Sequence, residues 1–287
     1  MQDATEERRA RWRQADNDFR TALWGQYHSN LPERLYHYTS AKGTRGILSH
    51  KEIWLSDIRS MSDQRDGLYW IDVFRPIIRR KSIPGYIRRG FETVEGLGIG
   101  QLWTKYITCF SPHPDSEYQW GHYADGGRGC AIEISVERLV TRADGGGSYG
   151  FMRMLYDRRE QEEKAERTIN RAIQFVREQD MNRSEAEEYW MGYAAFDFLV
   201  CGLCFKHPEY HREEEWRVFK SSKDFRNDPV RLCKGRTIRY LSLALEPDMV
   251  TGLFKGTLCS ESDADLAELL TSGENKPSIR RAPHAES

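Results

Sequence analysis

The stretch that most constrains the fold is Ile107–Ser135, with the sequence ITCFSPHPDSEYQWGHYADGGRGCAIEIS. The apolar run 106–110 lies at its start and the apolar run 130–134 at its end, and short apolar runs bounded by turn residues predict buried strands. Two prolines follow the first run, and the glycine-rich bend 125–129 precedes the second. The stretch therefore predicts two strands that enclose a turn, a short helix and a bend.

Three aromatic residues lie on the predicted short helix, which Asp115 or Ser116 can cap. They are Tyr118, Trp120 and Tyr123. An aromatic ring offers a flat face to a base or a nicotinamide, and backbone N–H groups of nearby loops can hold a charged or carbonyl group. The alternative is that these rings fill a hydrophobic core, which is the commoner use of such residues.

Similar patterns along the chain predict the remaining elements. Strands are expected at 34–38, 53–56, 151–156, 215–219, 236–243 and 250–255. Helices are expected at 3–28, from Thr39 or Ser40 to Leu48, within 57–80, at 158–179, at 184–205 with a Ser184–Glu187 capping box, and from Ser262 to Thr271. Residues 82–104 are expected to be less regular, and 142–148 to be flexible.

These elements predict an α+β fold with a split, mostly antiparallel β-sheet core and helices packed outside it. Residues 1–30 would form an N-terminal helix, and 31–273 a single α+β domain. Within that domain, 157–206 would be an inserted helical hairpin. The polar, proline-containing residues 274–287 are expected to be a disordered tail.

Charge and hydropathy exclude several classes of protein. The 287 residues include 43 Lys plus Arg and 44 Asp plus Glu, so no global basic field exists to bind nucleic acid or anionic lipid, although a local basic groove remains open. No run approaches the roughly 18 apolar residues that a membrane span needs, and the N-terminus is charged where a signal peptide would be apolar. We therefore expect a cytoplasmic protein without a membrane partner, whose six cysteines are reduced.

The familiar catalytic and metal motifs are missing or wrongly spaced. Cys201, Cys204, His207 and His211 are too closely spaced for the two ligand pairs of a zinc module, so no metal site is predicted. The GLGIG segment at 96–100 lacks a preceding strand and the full dinucleotide spacing. No nucleophile elbow, P-loop or kinase signature is present.

Two further positions carry groups suited to chemistry. His37 ends a predicted strand immediately before a helix start, where ligands commonly bind, although it could equally be a structural histidine. Glu213 and Glu215 are two apart at the entrance of a predicted strand, so they are expected to share one face with Arg217. Two carboxylates on one face repel each other unless each has its own partner. An exposed, salt-bridged strand edge is the alternative.

Three segments together resemble an uncharacterised bacterial family that is known only as a domain of unknown function. They are LYHYTSAKGTRGIL with IWLSDIRSMSD, then TCFSPHPDSEYQWGHYADGGRGCAIEI, and finally KHPEYHREEEWRVF. The hallmarks of that family are Y-H/R-Y-T/S, C-F-S with W-x-x-Y, and a late E-x-E-W/Y-R. The resemblance spans about residues 34 to 256, and the order of the motifs is more specific than any one of them.

The YHYT strand and the helix after it are also distantly similar to the opening of the ADP-ribosyltransferase fold. This resemblance implies that His37, with the adjacent Tyr38 and Thr39, binds the ribose of NAD. It implies that Trp120 or Tyr123 stacks on nicotinamide. The W-x-x-Y pattern and the long helical insertion depart from that fold.

The same resemblance implies that Glu215 supports the ribosyl cation and that Glu213 orients the acceptor. Arg59 and Arg217 are candidates for pyrophosphate or acceptor contacts on charge grounds.

The leading hypothesis is therefore an NAD-dependent ADP-ribosyltransferase that uses NAD as substrate and modifies a macromolecule, as a toxin or phage-defence effector would. One alternative is a non-enzymatic module that binds a nucleotide or single-stranded nucleic acid by stacking. Another is an NAD glycohydrolase, in which water is the acceptor.

Overall fold

The structure is a computed structural model that describes residues 6–15, 18, 31–61, 65–97, 104–144, 149–191, 198, 201–222, 224–233, 235–246, 248–270 and 277–283. The chain divides into two compact units. The helical unit comprises Met1–Ser29, Met61–Thr104 and Met154–His211. The β unit comprises Asn30–Ser60, Lys105–Arg153 and Arg212–Ser287.

The helices and strands alternate irregularly along the chain. The helices are α1 at 6–15, α2 Ala41–His50, α3 Tyr69–Ile78, α4 Gly85–Leu97, α5 Glu117–Tyr123, α6 Val136–Asp144, α7 Arg158–Glu178, α8 Arg183–Tyr189 and α9 Asp263–Leu270, with 3₁₀ turns at Ile58–Ser60 and Pro208–Glu213. The strands are β1 Arg34–Thr39, β2 Glu52–Asp57, β3 Thr104–Phe110, β4 Cys130–Ser135, β5 Tyr149–Arg153, β6 Trp216–Ser222, β7 Val230–Cys233, β8 Arg236–Ala244, β9 Val250–Lys255 and β10 Ser278–Arg281.

Two sheets form the core of the β unit, which confirms the α+β class and the mostly antiparallel pairing. The four-stranded sheet has the order β1-β4-β9-β10, and the six-stranded sheet the order β5-β6-β3-β2-β8-β7. The β9–β10 pair is parallel. A single bridge between Tyr36 and Ser111 connects β1 to the residue after β3.

The main hydrophobic core draws on both sheets. It includes Leu35 and Ile132 from the four-stranded sheet and Tyr106, Trp216 and Val218 from the six-stranded one. Because side chains alternate along a strand, the neighbours of these residues point to the opposite faces. On the four-stranded sheet that opposite face, which we call the outer face, carries a second cluster: Tyr36, Tyr38, Trp120, Ala124, Ala131, Phe254 and Ala282.

Aromatic packing holds the helical unit together. Trp70 and Phe74 of α3 contact Phe91 of α4, Phe198 and Phe205. Helix α4 lies within the segment 82–104 that was expected to be irregular, and that expectation is wrong for Gly85–Leu97. Its glycines suggested a loop, but a Cβ at Gly90 would overlap the Trp190 ring, so at that position glycine serves close packing.

The start of α8 also differs from the prediction. Asn182 is the N-cap, and its side chain accepts hydrogen bonds from the backbone N–H groups of Ser184 and Glu185. The Glu185 side chain accepts from the Asn182 N–H at 2.9 Å and completes the capping box. The predicted Ser184–Glu187 box is therefore wrong by two residues, because Asn caps at least as well as Ser.

Part of the expected disordered tail is a strand. In β10, Arg280 donates to the carboxylate of Glu133, which is buried in β4 and also accepts from Arg34, Tyr36 and Thr251. Strand β7 was not predicted either. The predicted flexible segment 142–148, the C-terminal parts of the 3–28 and 184–205 helices, and Thr271 lie partly or wholly outside the described residues.

Candidate functional site

Helix α5 is fixed on the outer face of the four-stranded sheet. Ser116 caps it by accepting from the Gln119 N–H, as predicted. Trp120 is 7% exposed, packs edge-on against Tyr38 at 4.8 Å and donates from Nε1 to Asp115 at 2.7 Å. The rings of Trp120 and Tyr38 are both buried, so their contact anchors α5 on the sheet.

The hydroxyl of Tyr38 secures the loop before α5. It donates to the carbonyl of His113 at 2.7 Å and accepts from the Ser116 N–H at 3.0 Å. Burial is the main cause that raises the pKa of Tyr38 above its ordinary value, so the hydroxyl remains a donor at neutral pH.

An exposed ring and a buried carboxylate meet at the end of α5. Tyr123 is 46% exposed, and its hydroxyl donates to Oε1 of Glu213 at 2.8 Å. The side chain of Gln119 donates to the backbone carbonyl of Glu213 at 2.9 Å and fixes the main chain there. Glu213 is 5% exposed, so the carboxylate lies in a region of low dielectric beside the accessible ring.

The three consecutive glutamates each have a separate partner. Glu214 is exposed and lies 3.0 Å from Nε2 of His113. Glu215 forms a two-pronged ion pair with Arg217 at 2.5 and 3.0 Å. Separate partners are what closely spaced carboxylates require.

Glu213 and Glu215 do not share a strand face, and that prediction is wrong. Glu213 ends a 3₁₀ turn, Glu214 has the left-handed φ of 43°, and β6 begins only at Trp216. Strand alternation therefore does not apply across these residues. Glu215 and Arg217 do lie together, both buried, in the ion pair described above.

His37 lies on the side of β1 that faces the main core. Its Nδ1 is 2.9 Å from the carbonyl oxygen of Cys109, which can only accept, so Nδ1 carries the proton. Burial lowers the pKa of His37, which keeps the ring neutral at pH 7. The ring is 5.6 Å from that of Phe110. His37 and Trp120 are thus on opposite faces of the four-stranded sheet.

Acidification is expected to destabilise the protein through His37. The pKa of His37 in the folded protein lies below its ordinary value of 6.5, so the unfolded chain takes up the proton first as the pH falls. The stability that the protein has above pH 6.5 is therefore lost progressively below that pH. His37→Asn retains an N–H near the Nδ1 position without the titration. Urea unfolding at about pH 7.5 and about pH 5.5 should show a larger loss for the wild type than for this variant. Equal losses would contradict the assignment.

The other predicted cofactor residues, Arg59 and Thr39, make contacts of their own elsewhere in the β unit. The guanidinium of Arg59 donates to both carboxylate oxygens of Asp57 and lies 5.6 Å from the Phe225 ring. Thr39 ends β1, where its backbone carbonyl is so near Gly129 that a Cβ there would be 2.0 Å from the oxygen. The structure therefore brings together Tyr38, Trp120, Tyr123 and Glu213.

Sequence reasoning named Tyr118 but missed the two groups that contact it, His122 and Arg212. Tyr118 and His122 stack at 4.0 Å with an interplanar angle of 16°, and Arg212 lies 5.7 Å over the Tyr118 ring. The i, i+4 spacing of Tyr118 and His122 on a helix was the available signal. The position of Arg212 depends on how the segment 212–214 docks against α5. No local sequence pattern predicts this contact.

The helical unit contains a surface pocket, and none of the predicted site residues lines it. This pocket, of about 320 Å³ including space open to solvent, is lined by residues that include Arg65, Tyr69, Lys206, His207 and Tyr210. Among the residues that the structure describes, no group of three or more His, Cys, Asp or Glu is arranged to hold a metal ion. All six cysteines are described, and none of them forms a disulfide bond.

A family model described as a protein of unknown function, DUF2971, matches residues 119–218. The match begins in α5 and ends in β6, so it includes Trp120, Tyr123, Glu213, Glu215 and Arg217. It confirms the resemblance to an uncharacterised family for this part of the chain. No match was found among curated proteins or among solved structures. Within the described part of the chain, no helix is long and apolar enough to cross a bilayer.

Proposed function

We propose that this chain is a cytoplasmic NAD-dependent ADP-ribosyltransferase that transfers ADP-ribose to a macromolecule. The observation that carries the proposal is the 2.8 Å hydrogen bond between Tyr123 and Glu213. It holds the buried carboxylate of Glu213 next to the flat, accessible ring of Tyr123 in the β unit. Cleavage of a nicotinamide glycoside uses both groups.

The ring and the carboxylate have different roles in the proposed reaction. Nicotinamide stacks on the exposed face of Tyr123. The C–N bond between ribose and nicotinamide breaks, its electron pair leaves with nicotinamide, and the ribosyl carbon develops positive charge. The carboxylate of Glu213 stabilises that charge, and its low-dielectric surroundings strengthen the interaction. A nucleophile of the acceptor then forms the new bond to the ribosyl carbon and loses its proton to solvent, while neutral nicotinamide departs.

The proposal assigns the carboxylate role to Glu213 and a positioning role to His37. The charge of Glu215 is offset at close range by Arg217, so this pair presents little net charge to a ribosyl cation. His37 anchors the end of β3 through the Cys109 carbonyl, directly before the loop that leads into α5. It therefore acts on the site through the backbone.

Glu213→Gln is expected to lower the rate of nicotinamide release from labelled NAD by about a hundredfold, because the amide cannot stabilise a cation. Glu214→Gln is the matched control: it removes the same charge from the next residue, whose carboxylate is exposed beside His113. It should retain activity within about twofold. A wild-type rate no higher than that of Glu213→Gln would overturn the proposal. Transfer of the label to a macromolecule supports the transferase, whereas release of free ADP-ribose identifies a glycohydrolase.

A second candidate function is nucleotide binding without turnover, which the stack of the half-buried Tyr118 on the exposed His122, next to Tyr123, favours. It predicts saturable binding of NAD that Tyr123→Ala weakens and Glu213→Gln leaves unchanged. Equilibrium dialysis with labelled NAD, run beside the nicotinamide assay, separates the two functions.

A further inference from the structure

The six-stranded sheet carries an exposed stacking surface at its β2-β8-β7 edge. The rings of Trp54 and Tyr240 are 4.5 Å apart at an angle of 34°, and the Arg231 guanidinium lies 5.2 Å from the Trp54 ring. Trp54 is 37% exposed, and its Nε1 donates to Glu52, which fixes the ring. We call Trp54, Tyr240 and Arg231 the edge platform.

These three residues lie on one face of the sheet. Trp54 is opposite Ser242 in the β2–β8 register, two residues from Tyr240, and Arg231 is opposite Ile238 in the β7–β8 register. The even-numbered residues of β8 therefore share the face of Trp54 and Arg231. Arg236, at the start of β8, belongs to the same face.

The β7–β8 hairpin, which carries Arg231 and Tyr240 of the platform, is strongly basic. Residues 225–244 contain five basic side chains, Arg226, Arg231, Lys234, Arg236 and Arg239, and one acidic side chain, Asp228. Five positive charges and one negative charge give a net charge of +4, in a chain whose net charge is −1. The carboxylate of Asp228 accepts hydrogen bonds from Tyr106 and Ser222. Strand alternation places Arg231 and Arg236 on the face of the aromatic rings, whereas the odd-numbered Arg239 lies on the opposite face, near Tyr106.

Arg231 also retains a donor. Its Nη2 donates to the hydroxyl of Ser56 at 2.8 Å, while its buried Nε has no hydrogen-bond partner among the described residues. The buried Nε is out of reach of a ligand, so phosphate oxygens would bind the terminal N–H groups of the guanidinium that Ser56 does not use. The fixed fork of a guanidinium suits phosphate oxygens in particular.

We infer that the edge platform and the basic hairpin bind single-stranded nucleic acid. Unpaired bases stack on the Trp54 and Tyr240 rings, and the arginines contact the phosphates that connect them. A duplex covers the faces of its bases and offers only phosphates to this surface. This binding needs neither NAD nor the Tyr123–Glu213 site, so it stands independently of the proposed function.

Fluorescence anisotropy with a labelled oligothymidylate of about 15 nucleotides tests the inference on the full chain without NAD. Trp54→Ala and Tyr240→Ala should each raise the dissociation constant about tenfold, because each removes a stacking ring. Arg236→Ala should weaken binding and reduce the slope of log K against log salt by about 0.7. Trp54→Phe should retain most of the affinity, since it keeps a ring.

Matched controls separate this surface from general charge effects and from the proposed enzyme site. Arg159→Ala removes an equal charge from an exposed position, and Tyr123→Ala removes the exposed ring of the proposed enzyme site, so both should bind as the wild type does. If Trp54→Ala unfolds, Tyr240→Ala and Arg236→Ala still decide the question. Unchanged affinity in those two variants, or equal affinity for a duplex of the same length, would overturn the inference.

Discussion

Replacing Arg217 with methionine is expected to lower the free energy of unfolding by about 3–5 kcal/mol. Arg217 and Glu215 are 2% and 3% exposed, and the guanidinium contacts both oxygens of the carboxylate. Methionine fills much of the same volume but leaves the carboxylate of Glu215 buried without its cation. The cost is therefore chiefly that of an uncompensated buried charge.

Urea unfolding followed by circular dichroism measures this loss. The double variant Glu215→Gln with Arg217→Met should recover much of it, because removing both charges of a buried pair is often nearly neutral. Arg159→Met is the control for an exposed pair with Glu163 and should change stability little. A single Arg217→Met variant as stable as the wild type would show that Glu215 does not depend on this cation.

Variants of this ion pair also test whether Glu215 takes part in the proposed reaction. If the pair is structural, Glu215→Gln should reduce stability and leave nicotinamide release per folded molecule close to that of the wild type. A carboxylate that a cation already neutralises has little charge to offer a second one. Loss of turnover without loss of stability would instead assign the catalytic role to Glu215.

Local sequence signals predicted the elements that local forces determine. The apolar runs of β3 and β4 and the cap at Ser116 follow from burial and from backbone donors at a helix start. Strand β10 could not be predicted in this way, because it depends on pairing with β9 and on the distant Glu133.

The composition of the site was only partly predictable. The sequence indicated Tyr123 and Glu213, but the two meet only because α5 docks against the segment 212–214. The left-handed φ of Glu214 leaves no pattern that separates it from a strand residue. Likewise, the face to which His37 points depends on which residues of β1 face the core, and this is a property of the whole sheet.

The two candidate stacking rings are expected to respond oppositely to truncation. Trp120→Ala should lower the free energy of unfolding by about 3–5 kcal/mol, because it removes a buried ring and leaves a cavity against Tyr38. Trp120→Phe should cost less, since a ring remains. Tyr123→Ala removes an exposed ring and its hydrogen bond to Glu213, so its cost should be smaller, about 1 kcal/mol.

Binding of NAD should show the reverse order. Trp120 is packed on Tyr38 and bonded to Asp115, so its face is not accessible to a ligand, whereas nearly half of the Tyr123 surface is accessible. At temperatures where both variants are folded, Trp120→Phe should bind NAD as the wild type does, and Tyr123→Ala should bind about tenfold more weakly. Tyr123→Phe keeps the stacking face and should retain affinity while slowing turnover. If Trp120→Phe lost binding and Tyr123→Ala kept it, nicotinamide would have to displace Tyr38 from the tryptophan ring, and the Tyr123–Glu213 pair would not be the site.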